Sequence, residues 1–225
     1  MELKAASLGK DNNYDSTAWF YEKVAHFFSG GQILACKKSQ VPHFKKDEKV
    51  LFAGSGGGED ALLAVNKESY VTIVELSGKM IGQAVKKFKG HQFDSHLKIY
   101  HENIFDHQLK GTYDVVVANF FLNVFKEIDM SKALAHLVSL LKPGGKLIIG
   151  DFSPPSGGVI NKFVQKTHFR LASLFFNLLT NNPIHPIYQY QDYFKENGLT
   201  LIEKNFFTPL GLISDAYCSL IAVKD

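Results

Sequence analysis

Along this chain, short apolar runs alternate with stretches whose apolar residues recur at helical spacing. The runs Lys49–Ala53, Tyr70–Glu75, Leu97–His101, Tyr113–Asn119 and Gly145–Asp151 predict strands. Between them, Ala61–Lys67, Lys79–Phe88 and Met130–Leu141 predict helices. Apolar strands separated by helices predict a parallel sheet covered on both faces. The rhythm changes near the end. Tyr188–Asn197 reads as a helix stopped by Gly198, and Leu199–Phe207 and Ala216–Lys224 read as two strands with a short loop between. So short a connection suits an antiparallel pair, because a parallel crossover needs about a dozen residues or more. The expected architecture is α/β: a seven-stranded, mostly parallel sheet with a terminal antiparallel hairpin and helices on both faces. Residues 1–44 read as a helical cap, 45–225 as the main domain, and about 159–182 as a helical insertion within it.

Length and composition narrow the picture. A chain of 225 residues can bury one full core. Its net charge is only +3, and basic pairs such as Lys37-Lys38, Lys45-Lys46 and Lys86-Lys87 are scattered, so no nucleic-acid partner is expected. Cys36 and Cys218 are too few for a disulfide framework, and neither has metal-ligand spacing around it, so reduced thiols and no bound metal are expected. The segment MELKAASLGKDNNYD lacks the apolar centre of a signal peptide. No run approaches the roughly 18 apolar residues of a membrane span. A cytoplasmic location follows as the expectation.

The stretch VLFAGSGGGEDALLA, residues 50–64, carries the first chemical signal. A buried strand breaks into Gly54, Ser55, Gly56, Gly57 and Gly58, then turns helical at Glu59. Such a turn brings unpaired backbone N–H groups up to a polar ligand. A dinucleotide fingerprint would need a third glycine at position 59, where this chain has Glu59, whose carboxylate would repel a pyrophosphate. The next strand ends in Glu75, an acid positioned across the crevice to accept hydrogen bonds from a ribose diol.

Four segments in order, VLFAGSGGGE, VTIVELSGKMIGQA, YDVVVANFFLNVF and LLKPGGKLIIGDF, resemble the successive motifs of the class I S-adenosylmethionine-dependent methyltransferases over about residues 46 to 225. The resemblance implies S-adenosylmethionine as cofactor. It implies that Gly54, Ser55, Gly56 and Gly58 approach the cofactor and that Glu75 binds its ribose. It also implies that Leu76 and Met80 wall the adenine, that Asn103 and Ile104 contact it, and that Asn119 lies beside the transferring methyl. One position departs from the family: the acid usual two residues before the first glycine is Phe52 here. Either another group compensates, Asp60 being the candidate, or cofactor handling is altered, as in the methyltransferase-like proteins that use S-adenosylmethionine for amino transfer in rhodoquinone formation. A non-catalytic cofactor-binding protein is the third reading.

Acceptor chemistry belongs at the carboxyl ends of the strands. Candidate catalytic groups there are Asn123, Asp151 and His185, and candidate substrate contacts are Tyr14, Trp19, Tyr21, Phe120 and Phe169. The Tyr-Asp start of YDSTAWFYEKV and the insertion after the fifth strand resemble the branch that methylates quinone rings, so a small, partly apolar acceptor is expected. In Val159–Leu179, the residues Ile160, Phe163, Val164, Leu171, Leu174, Phe175 and Leu178 form one apolar face, broadened by Phe169, Phe176 and Leu179. The expected role is a lid over the acceptor, with Lys162, Lys166, His168 and Arg170 at its flanks suited to an anionic membrane surface. A core helix or a homodimer helix is the alternative.

Overall fold

The structure, a computed structural model, describes residues 2–5, 29–90, 96–180, 186–209 and 213–225, with side chains for all of these except 2–5 and 175–180. Its strands are β1 (Glu2–Ala5), β2 (Lys49–Ala53), β3 (Tyr70–Glu75), β4 (Leu97–His101), β5 (Tyr113–Asn119), β6 (Leu141–Phe152), β7 (Leu199–Phe207) and β8 (Tyr217–Lys224). Its α-helices are α1 (Gln32–Ser39), α2 (Glu59–Val65), α3 (Gly78–Phe88), α4 (Glu127–Leu140) and α5 (Val159–Thr180). The sheet runs β1-β4-β3-β2-β5-β6-β8-β7. Strands β1 to β6 pair in parallel, while β8 is antiparallel to both β6 and β7.

The seven expected strands and the closing hairpin are all present. Two readings are corrected. Residues 2–5, expected within a helical cap, instead add an eighth strand at the edge beside β4. Helix α1 packs against the β7–β8 hairpin. Tyr188–Asn197 forms two short 3-10 turns, Tyr190–Tyr193 and Lys195–Asn197, which close on Gly198 at φ 61°. Tyr190 and Phe194 are buried there, Phe194 at the junction between the two turns.

Strand alternation explains the two cores. Leu51 and Ala53 of β2, with Val116 and Ala118 of β5, face Met130, Ala133, Leu134 and Leu137 of α4. The intervening Val50, Phe52, Val115 and Val117 face Ala61 and Ala64 of α2 and Ile81, Ala84 and Phe88 of α3. Successive residues point to opposite faces, and each face finds its own apolar helix stripe. Helix α3 starts on Ser77, whose hydroxyl accepts the Met80 N–H at 3.2 Å, and ends with Lys86 and Lys87 where cations favour the dipole.

Candidate active-site crevice

From β2 the chain winds outward through β3 and β4, and from β5 outward the other way through β6. Connections leaving in opposite directions open a crevice at the carboxyl ends of β2 and β5. The glycine turn borders it on one side and Asn119–Asn123 on the other.

Gly54, at φ 65°, has a second reason to be glycine: a Cβ there would lie 2.4 Å from Cδ2 of Phe121. The Phe121 ring thus lies directly against the turn. Glu75 closes the far side and is 8% exposed. Its Oε2 accepts the Gly56 N–H at 3.1 Å and its Oε1 accepts the Ser77 N–H at 2.8 Å. Burial pushes its carboxyl above the ordinary range, while the N–H groups of Ser77, Gly56 and Leu76 draw it back. Each carboxylate oxygen keeps a further lone pair, so two ribose hydroxyls can still be accepted. Beside it, Leu76 is 46% exposed, an apolar wall without cover, and Met80 is buried with its sulfur 3.9 Å from the space a Gly56 Cβ would fill. This donor and acceptor set fits a ribose with an attached apolar base.

Other expected contacts are placed differently. The Asn103 Oδ1 accepts the Phe105 N–H at 3.0 Å and caps the turn Ile104–Asp106, leaving the exposed amide one lone pair and its NH2 group. Ile104 is turned into the core, packed among residues of the α4 face, because the turn that Asn103 caps points it inward. The Asn119 side chain also turns away from the open crevice. It exchanges amide hydrogen bonds with Gln40 at 2.8 and 2.9 Å and donates to Asp60 Oδ2 at 3.0 Å. Gly150 makes room for this pair, since a Cβ there would lie 2.4 Å from the Asn119 Oδ1.

Asp60 was legible only as a candidate substitute for the missing acid, and the structure gives it a position. It is 2% exposed, accepts from the Ser55 hydroxyl at 3.0 Å and from the Ala61 N–H at 3.1 Å, and lies 3.7 Å from the Lys37 ammonium. Its charge is therefore paired and hydrogen-bonded, which a buried carboxylate requires. Phe52 itself lies in the α2–α3 core, edge-on to Phe44 at 5.8 Å between ring centres.

A second group of residues borders the crevice beyond β5 and β6. Phe120 holds φ 52°, a strained backbone for a bulky side chain, with its N–H donated to Gly150 O at 2.7 Å. That conformation sets its ring edge-on to Phe152 and Tyr217, at 6.1 and 5.9 Å. Phe169 of α5 packs edge-on to Phe152 at 5.0 Å, and a ring nitrogen of His168 is 3.0 Å from the Tyr217 hydroxyl. Tyr217 was not anticipated, and His168, expected as an outer flank of the apolar face, instead turns inward to Tyr217.

Asn123 and Asp151, expected together, meet at 2.7 Å from the amide Nδ2 to Oδ1. The Phe152 N–H donates to the same oxygen at 2.7 Å, and the Tyr190 hydroxyl, also unanticipated, donates to Oδ2 at 2.5 Å. Burial pushes the Asp151 carboxyl up to about 7 against these three hydrogen bonds. His185, Tyr14, Trp19 and Tyr21 lie outside the described residues. Among the described residues, no group of three His, Cys, Asp or Glu is placed to hold a metal ion.

The lid face is corrected as well. Ile160, Phe163, Leu171 and Leu174 are 81%, 69%, 57% and 49% exposed. The side of α5 that packs carries Gln165, His168, Phe169 and Ala172 instead. Gln165 accepts the Ser156 N–H at 2.7 Å and donates to the Ser214 carbonyl. Phe175, Phe176, Leu178 and Leu179 are outside the described side chains.

Residues 51–147 match the family model of the methyltransferase domain. The ubiquinone/menaquinone biosynthesis C-methyltransferase UbiE of Wigglesworthia glossinidia brevipalpis is 26% identical over 60% of this chain and 55% of its own length. The match thus spans little more than half of that relative. Among solved structures, the 1,6-didemethyltoxoflavin-N1-methyltransferase of Burkholderia thailandensis, with bound 1,6-didemethyltoxoflavin and S-adenosylhomocysteine, aligns over 97% of this chain and 92% of its own, at 13% identity and a TM-score of 0.64. An O-methyltransferase family 2 protein of Planctomyces limnophilus, in complex with apigenin, aligns over 93% and 62%, at 14% identity and a TM-score of 0.70. These two structures share the fold. Taken with the ordered motifs and the crevice at the sheet's switch point, the matches make residues 51–147 of this chain similar to a methyltransferase domain, on a fold shared with solved methyltransferases.

Proposed function

We propose that this chain transfers the methyl group of S-adenosylmethionine to a small, partly apolar acceptor of ring type. The observation that carries the reading is the closure of Glu75 onto the Gly56 N–H at 3.1 Å, beside the uncovered Leu76, at the sheet's switch point. Bound S-adenosylmethionine would supply a methyl group already activated on a sulfonium. The protein's task is then mainly proximity and orientation.

Glu75 would hold the ribose, Leu76 and Met80 the adenine, and Asn103 the adenine amino group. The turn Gly54–Gly58 would hold the methionine portion. Asp60 stands in for the acid that Phe52 displaces: its bonds to Ser55 and Asn119 tie the turn to the end of β5. Phe120, Phe152, Phe169 and Tyr217 supply the apolar surface for an acceptor ring and exclude water from it. Asp151 acts as a positioning residue, because both its oxygens are engaged and it is 2% exposed; it fixes the amide of Asn123, which borders the crevice. The UbiE relative's name points to a quinone ring, and the four-ring aromatic surface suits one.

The test is incubation with methyl-labelled S-adenosylmethionine and a cell lipid extract, with mass spectrometry of the products. A labelled methyl group on an extracted ring compound is the expected result. Nitrogen from the cofactor in the product, with no labelled methyl, would establish amino transfer instead. Tight cofactor binding with no product from any extract would establish a non-catalytic binding protein.

A further inference from the structure

We infer that the outer face of α5 is a docking surface for an anionic lipid bilayer, on which the protein lies without crossing it. Val159, Ile160, Phe163, Val164, Leu171 and Leu174 are 87%, 81%, 69%, 36%, 57% and 49% exposed. At 100° per residue they fall within one broad stripe, and Phe163, Val164 and Leu171 of the stripe line an open, largely apolar groove with Thr167, His168 and Ile213. A continuous exposed apolar patch of this kind marks a contact surface.

The opposite side of the helix is already committed. Gln165 bonds to Ser156 and Ser214, His168 to Tyr217, and Ala172 is 3% exposed. These contacts fix the helix rotation, so the apolar stripe cannot roll inward without breaking them.

Charge selects the occupant. Lys162, Lys166 and Arg170 recur every fourth residue, are exposed, and form a row along one edge of the stripe. Helix α5 contains no Asp or Glu. A wide apolar face edged by cations, with no acid to oppose them, complements a surface of anionic headgroups over acyl chains. A second copy is a poorer match. Antiparallel two-fold pairing through this stripe would bring both cation rows to the same edge, with no carboxylate on the helix between them. Spanning is also excluded for this helix: none among the described residues is long and apolar enough to cross a membrane.

The inference does not depend on which group the crevice transfers. It does bear on access, since Phe169 on the committed side of α5 touches Phe152 at the crevice. A protein lying on this stripe keeps that end of the sheet near the bilayer surface.

The experiment is co-sedimentation of the full chain with phosphatidylcholine vesicles and with mixed phosphatidylcholine–phosphatidylglycerol vesicles, alongside a sizing column and thermal melts. The wild type should pellet with the mixed vesicles and much less with the neutral ones. Lys162→Gln/Lys166→Gln/Arg170→Gln should weaken binding to the mixed vesicles by on the order of a hundredfold, about fivefold for each cation near the surface. Phe163→Ser/Leu171→Ser should weaken it at least tenfold. Both variants alter exposed side chains, so their melting temperatures should stay close to wild type. Equal pelleting of wild type and both variants would overturn the inference, as would equal binding to neutral and anionic vesicles. A dimer that Phe163→Ser/Leu171→Ser dissociates, without vesicle binding by the wild type, would also overturn it and assign the stripe to self-association.

Discussion

Asp151 should make the protein less stable as pH rises through the neutral range, and Asp151→Asn should remove that slope. In the folded state the carboxyl is pushed up to about 7 by burial, from an ordinary value of 3.8. Its folded value lies above its unfolded value, so the native state binds an extra proton between the two. Stability is therefore highest below about pH 4 and is lost as pH rises to about 7. A shift of about three units corresponds to about 4 kcal/mol, of which roughly 2 to 3 kcal/mol falls between about pH 5 and pH 8. Asparagine preserves the geometry: its oxygen can accept from the Asn123 amide and the Phe152 N–H, and its NH2 can donate to the Tyr190 hydroxyl oxygen. Urea denaturation followed by circular dichroism at a series of pH values measures both proteins. Their difference isolates Asp151 from Glu75, which burial shifts in the same direction but which both proteins retain. The gap in favour of Asp151→Asn should widen by the stated amount across the window. Parallel pH profiles would refute the reasoning, since they would mean that the Asp151 proton is held equally in both states.

Glu75→Ala should weaken S-adenosylhomocysteine by on the order of 2 kcal/mol in calorimetry, for two lost hydrogen bonds to a carboxylate; unchanged affinity would remove Glu75 from the ribose site. Gly54→Ala should destabilise by about 1 to 3 kcal/mol, from the Cβ at 2.4 Å to the Phe121 ring and from the positive φ. Adding Phe121→Ala should recover the steric part, and a purely additive double mutant would rule out the clash. Phe52→Asp should lower the melting temperature sharply, at a cost of about 3 to 5 kcal/mol for a core aromatic exchanged for a buried charge, without improving cofactor affinity. Asp60→Ala should weaken the cofactor, because it releases Ser55 and Asn119 from the turn; full affinity in that variant would leave the missing acid uncompensated.

Features that depend on local periodicity and backbone chemistry were readable along the chain. Strands Lys49–Ala53 and Tyr70–Glu75 lie where their apolar runs put them, since period and length distinguish a buried strand from the helices around it. The turn at Gly54–Gly58 and the acid at Glu75 were legible because only certain residues meet those backbone and charge requirements. Tertiary structure decided the rest, through partners distant in the chain. Helix α5 has apolar residues on more than one side, so periodicity could not say which side is buried. Gln165 reaching Ser214 and His168 reaching Tyr217, each 49 residues away, chose the less apolar one. Gln40 meets Asn119 across 79 positions, and Tyr190 meets Asp151 across 39. Neither pairing leaves any trace in spacing, because a buried polar side chain is satisfied by whatever the fold brings beside it.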